Sequence, residues 1–128
     1  MEDKTTSTRR QAAVQFLQMV VAGDIEEAYR KCVDMKGKHH NFYFPAGFPA
    51  LQKAMIENHD QFPNKQLLVK NVLEDGDLVA VHSRLILNET ENDMAVLHLF
   101  RFQDNRIVEM WDIGNTIPDD STNTDGTF

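Results

Sequence analysis

The chain has 128 residues, 41% hydrophobic and 26% charged, which suits one globular domain spanning 1–128 with a core that needs no staples. A formal charge of -7 and a pI near 5.1 exclude nucleic acid and anionic membrane as main partners, because either needs a positive surface to displace counterions; a small hydrophobic ligand is expected instead. The single cysteine, Cys32, excludes an internal disulfide, and with no signal-peptide core in MEDKTTSTRR and no run approaching the ~20 apolar residues of a membrane span, a cytoplasmic location is expected.

Residues 1–7 read as a flexible polar lead. From Thr8 on, Ala13, Phe16, Leu17, Val20 and Val21 recur at helical spacing, and Gly23 supplies a stop. Asp24 followed by Glu27 matches a capping box, which opens a second helix with Ala28, Tyr29, Cys32 and Val33 facing inward. The aromatic run 36–44, KGKHHNFYF, reads as a short strand, on which alternation separates His39, Asn41 and Tyr43 from His40, Phe42 and Phe44. Pro45-Ala46-Gly47 is a turn, and Phe48-Pro49 starts a third helix with proline in its first turn. Its apolar stripe is Leu51, Met55 and Phe62. Asn58 and His59 fall on the same stripe, so they need partners or line a cavity.

Beyond Lys65 the periodicity becomes that of strands, at 66–74, 78–87, 94–102 and 106–113. Glu74-Asp75-Gly76-Asp77 is a hairpin signal and 88–93 a longer polar loop. His82 and Arg84 share one face of the second of these strands. The segment 117–128 is a polar C-terminal tail ending in Phe128. Helices followed by a curved, largely antiparallel sheet make an α+β domain. Its strands are apolar on both faces, which a homodimer packed through the outer sheet face would satisfy.

The last hairpin, 94–113, carries His98 on one strand and Asp112 on the other. A two-residue Asp104-Asn105 loop pairs Phe102 with Ile107 and sends those side chains to opposite faces. A three-residue loop, with Asn105 in the left-handed region, pairs Phe102 with Arg106 and reverses that answer. The second register is preferred, because each face then holds a complementary polar pair. One face reads Val96, His98, Phe100, Phe102, Val108, Met110 and Asp112; the other places Arg101 and Glu109 on a cross-strand diagonal.

These residues resemble a known family. His40-Asn41 before the Pro45-Ala46-Gly47 turn, Phe100-Arg101-Phe102, the run 106–112, Ile117-Pro118 and the closing Asp125-Gly126-Thr127-Phe128 look like the nuclear transport factor 2-like (cystatin-like) fold, and more narrowly the SnoaL-like polyketide cyclases. The likeness covers nearly the whole chain from Thr8. It implies a cone-shaped α+β barrel of three N-terminal helices on a curved mixed or antiparallel sheet, an apolar pocket and a dimer. It also implies that an Asp on the last strand is the acid/base of an intramolecular aldol ring closure, with a His on the preceding strand nearby. Asp112 and His98 are the matching positions. Many relatives carry His where this chain has Met110, and some carry Asp where it has His98.

Proton abstraction beside a carbonyl needs a base within reach in an apolar setting. Asp112 among Val108, Met110 and Phe100 has that setting, and His98 can donate to a developing enolate. The expected catalytic residues are therefore Asp112 and His98. His40, Asn41, Tyr43, Asn58, His59, His82, Phe100 and Met110 are candidates for contacting substrate. No cofactor is expected, and no metal, because neither His-x-His nor His-Glu-x-x-His spacing occurs. The reaction this suggests is a cofactor-independent cyclisation or isomerisation of a small hydrophobic carbonyl compound. The alternatives are a non-catalytic binding module of the same fold and an epoxide or ester hydrolase.

Overall fold

The computed structural model describes residues 8–128; the polar lead expected at 1–7 lies outside the described residues. Helix α1 (Thr8–Ala22) ends at Gly23, whose φ of 96° is the left-handed conformation that glycine adopts without strain. Gly23 N-H donates to Val20 O at 3.1 Å and Asp24 N-H to Met19 O at 2.9 Å, the two bonds of a Schellman stop. That stop overrides the capping box expected next. Asp24 precedes α2 (Ile25–Cys32), but its side chain makes no capping bond, and its own N-H is already given to Met19. Glu27 instead accepts from Arg30 Nε at 3.0 Å.

Strand β1 (Val33–His39) begins immediately after α2, three residues earlier than the aromatic run suggested, and stops at His39. Val33 is therefore a strand residue rather than the last inward position of a helix. The reason is pairing: β1 lies parallel to the final strand, Val33 opposite Ile107 and His39 opposite Met110. Helix α3 (Phe48–Gln61) follows a Gly47 turn at φ 95° and carries Pro49 at its start.

The remaining strands are β2 (Gln66–Asp75), β3 (Leu78–Ile86), β4 (Met94–Gln103) and β5 (Arg106–Thr116). The sheet order is β1-β5-β4-β3-β2, parallel only between β1 and β5. The result is three helices on a five-stranded mixed sheet, a cone-shaped α+β fold whose edge strands β1 and β2 do not pair to close a barrel. One sheet face holds the core. Phe16 meets Tyr29 and Phe100 edge-on at ring separations of 5.2 and 5.8 Å, and Tyr29 meets Phe48 at 6.3 Å. Val79, Val81, Ile107 and Phe100 are fully buried beneath them. Among the described residues no helix is long and apolar enough to cross a membrane.

The β4–β5 turn corrects the expected three-residue loop. Asp104 and Asn105 both have positive φ, 51° and 64°, the signature of a two-residue type I′ turn whose twist matches the strands. Phe102 accordingly faces Ile107. The register then shifts between Phe102 and Arg101, so that Arg101 faces Glu109 and His98 faces Asp112. Val108 is the extra residue, a β-bulge. Ile107, fully buried, takes the inward place expected of Val108. The bulge has a counterpart in β1: a Cβ on Gly37 would lie 2.3 Å from Val108 O, so only glycine admits that approach.

On the outer face Arg101 Nε donates to Glu109 Oε1 at 3.0 Å, and the His40 ring stacks on Trp111 at 4.9 Å while Nε2 meets Glu109 Oε2 at 2.6 Å. The bond from His40, helped by Arg101 and Lys38, holds the Glu109 carboxyl below its usual range. His82 and Arg84 also face outward. His82 Nδ1 meets Asn71 Nδ2 at 3.0 Å, Arg84 Nε donates to Asp93 at 2.7 Å, and the Phe128 ring lies over both and over Lys70. The 117–128 segment has no helix or strand and returns across this face.

Candidate functional site

Where the helices leave the sheet uncovered, a cavity of about 440 Å³ opens between α1, α3, the loop after β1 and the inner sheet face. Leu17, Val20 and Val21 form one wall, Leu67, Leu85 and Val96 the other. Both walls follow from the periodicities: helical spacing turns the α1 residues inward, and strand alternation brings up every second sheet residue.

Asp112 and His98 line this cavity from directly opposed positions on β5 and β4. Asp112 Oδ2 accepts from Asn41 Nδ2 at 3.0 Å. The other oxygen, Oδ1, and the Nδ1 of His98 are both buried without a protein hydrogen-bond partner. Buried polar atoms are rarely left so, because each forgoes the hydration it had in the unfolded chain. Burial lowers the His98 pKa, and the Asp112 charge opposes that in part, so the imidazole is neutral at pH 7 and keeps one N-H to donate. Behind it lies Phe100, its ring nearly parallel at 6.2 Å.

Asn41 is itself held in place. Its Oδ1 accepts from Tyr43 N-H at 3.0 Å, and its backbone N-H donates to His39 Nδ1 at 3.1 Å, while His39 Nε2 donates to Pro45 O at 2.8 Å. The buried His39 thus anchors the loop that brings Asn41 to Asp112. Phe42 and Tyr43, 85% and 79% exposed, stand at the rim of the cavity with ring centroids 4.6 Å apart.

Of the residues expected to contact substrate, Asn41, Tyr43 and Asn58 line the cavity. His40 and His82 lie on the outer face, sent there by strand alternation. His59 packs at the α1–α2 corner, where a Cβ on Gly23 would come within 2.5 Å of its Nε2. Phe100 and Met110 are buried in the core layer next to the site. With the five histidines so dispersed, no group of three or more His, Cys, Asp or Glu among the described residues is placed to hold a metal ion.

The structure adds two residues that sequence reasoning passed over. Tyr29 is buried, and its hydroxyl pKa is raised first by burial and then by the Asp112 charge, which places it within electrostatic reach of the site. Lys65, only 9% exposed, lines the cavity and donates from Nζ to Asn58 Oδ1. Its position between a helix stop and a strand start reads in sequence as a boundary, with nothing to mark it as buried.

No protein-family model matches the sequence, and comparison with curated proteins returns no significant match. Solved structures do match. A candidate polyketide cyclase from Acidithiobacillus ferrooxidans superposes with a TM-score of 0.71 at 18% identity, covering 90% of this chain and 92% of that one. A candidate SnoaL-like polyketide cyclase from Jannaschia gives 0.65 at 19% identity, with the same coverages of 90% and 92%. An NTF2-like protein of unknown function from Cytophaga hutchinsonii gives 0.69 at 15% identity, covering 88% and 95%. At these identities the likeness is one of architecture: the chain has the nuclear transport factor 2-like fold that SnoaL-like polyketide cyclases also adopt.

Proposed function

We propose that the protein is a cofactor-independent cyclase or isomerase acting on a small hydrophobic carbonyl compound, with Asp112 as the base. The observation that carries this reading is the Asp112–His98 pair: a carboxylate and a neutral imidazole on opposed residues in a mostly apolar cavity, each with a buried polar atom that no protein group satisfies. In the proposed step the Asp112 carboxylate takes a proton from the carbon next to the carbonyl. The C-H electron pair moves into the new C=C bond, and the carbonyl oxygen gains charge that a His98 N-H stabilises. Ring closure follows if that carbon attacks a second carbonyl of the same molecule; isomerisation follows if the proton returns to a different carbon. Asn41 orients the carboxylate, and the likeness to candidate polyketide cyclases supports this class of chemistry.

The test is turnover of a panel of short poly-β-keto compounds, followed by mass spectrometry and NMR, on the wild type and Asp112→Asn. The variant is expected to lose roughly 100- to 10,000-fold in rate while unfolding at the same urea concentration as the parent. Turnover at the wild-type rate would remove Asp112 from the role. A second reading, a non-catalytic binding module, is favoured by one contact: Asn41 already occupies one Asp112 oxygen, as suits a carboxylate used as a fixed ligand contact. A bound ligand with no reactive carbon near Asp112 would select it.

The outer face belongs to the same proposal. Leu97 and Ile113 are 39% and 64% exposed beside Trp111, and a second copy of the chain covering them makes a homodimer. Sedimentation equilibrium that returns only the monomer mass at micromolar concentration would refute it.

A further inference from the structure

We infer that Lys65 and Asn58 form an anion subsite in the cavity, so that the ligand is an apolar compound bearing a free carboxylate at a distance from the carbonyl that meets Asp112. This rests on the cavity being the ligand site proposed above, and it narrows the substrate class to amphiphilic oxo acids.

Lysine is seldom buried unless it is paired with an opposite charge. Lys65 is 9% exposed, and its Nζ meets the neutral Asn58 Oδ1. Among the described residues no carboxylate lies within 4.0 Å of it. An ammonium carries three donors, of which Asn58 takes one. Burial lowers the Lys65 pKa, and with no carboxylate beside it the ammonium has the neutral Asn58 oxygen as its hydrogen-bond partner. Apolar side chains of Leu17, Met55, Leu67 and Leu85 share the cavity wall. An ion in such surroundings gains more from an incoming carboxylate than a surface lysine would, because little water competes for either charge.

The placement also sets the spacing of the ligand. Lys65 directly precedes β2, whereas Asp112 is on β5, with β4 and β3 between. Three strand spacings correspond to about 14 Å across a flat sheet, and Lys65 is also offset along β2 from Val72, the residue level with Asp112 through Val81 and His98, so only an elongated ligand meets both groups. Among the lining residues Lys65 is the one lysine or arginine, and Asp112 the one carboxylate. The overall charge of -7 disfavours anions in general, so selection of an acid here must come from this local cation.

The experiment compares decanoate with decanamide by titration calorimetry on the full chain, its Lys65→Met variant and its Asp112→Asn variant. Methionine keeps the apolar bulk and removes the charge, and a thermal melt confirms folding. The wild type is expected to bind the acid at least about tenfold more tightly than the amide, the scale of a hydrogen bond to a charged group. Lys65→Met is expected to lose that preference and Asp112→Asn to keep it. The Lys65 ¹³Cε resonance, identified by its absence in Lys65→Met, is expected to shift on adding decanoate and not on adding decanamide. Equal affinities in the wild type, a preference that survives in Lys65→Met, or failure of both probes to bind would each overturn the inference. If Asp112→Asn keeps full turnover while the acid preference depends on Lys65, the assignment of the base fails and the anion subsite stands.

Discussion

Asp112 is useful only if its carboxylate is held still, and the holding group is a single amide. Asn41 reaches Asp112 across 71 positions of sequence, and its other side-chain atom is used in a local turn to Tyr43 N-H, which leaves it little freedom to swing away. In Asn41→Ala the carboxylate loses this support but keeps its charge. We expect kcat to fall roughly tenfold with KM nearly unchanged, since positioning rather than uniform binding is lost. A rise in KM at constant kcat would mean that Asn41 contacts the substrate instead. His98 makes a complementary prediction about pH. Its folded pKa lies below the ordinary 6.5 because burial disfavours the cation. Above pH 6.5 both folded and unfolded chains carry it neutral, and it has no effect. As pH falls below 6.5 the unfolded chain takes up a proton that the folded one refuses, so stability drops until the folded pKa is passed. His98→Leu removes this loss. Its stability relative to the wild type should rise by up to about 1 kcal/mol between about pH 7.5 and about pH 5.5, measured by urea unfolding; a pH-independent difference would contradict the account.

At the level of elements, the site depends on a bulge. A type I′ turn alone would set Phe102 against Ile107 and carry Asp112 to the outer face; the extra residue Val108 restores His98 opposite Asp112. The hairpin sequence let both polar residues be placed on one face, but it assigned the odd residue to the loop. Nothing in RIVEMWD marks the bulge, because its requirement falls on Gly37, which lies next to it only once β1 pairs with β5. Strand alternation correctly separated His39 from His40, since that rule is local. Lys65 could not be seen as a site residue, because burial of a lysine is a property of the assembled walls. The capping box at Asp24 failed for a similar reason: the chain reversal at Gly23 uses the same N-H. Gly37→Ala puts a methyl group against Val108 O, a backbone atom that cannot rotate aside, so it should cost at least about 2 kcal/mol in urea unfolding. Wild-type stability in that variant would show that β1 tolerates displacement from the bulge.

For the whole molecule, the sheet divides two chemistries between its faces. The inner face is apolar and carries the Asp112–His98 pair; the outer face carries the Arg101–Glu109–His40 cluster with Trp111 stacked on it. Both faces are built by the same alternating strands, so an exchange of roles between them would require moving each side chain by one position.

β5, which carries Asp112, is the last strand in sequence, yet it sits between β1 and β4, so residues separated by most of the chain must meet before Asn41 reaches Asp112. Closing so long a loop is entropically costly and tends to come late in folding. Partly folded forms in which β1 has not yet paired with β5 lack Asn41 beside Asp112 and therefore have no complete site, and a ligand for the cavity binds the finished fold alone. At a free concentration of about 100 times its Kd, such a ligand adds about 2.7 kcal/mol of stability. Thermal melting across a library of oxo acids thus reports occupancy without any assay of the reaction.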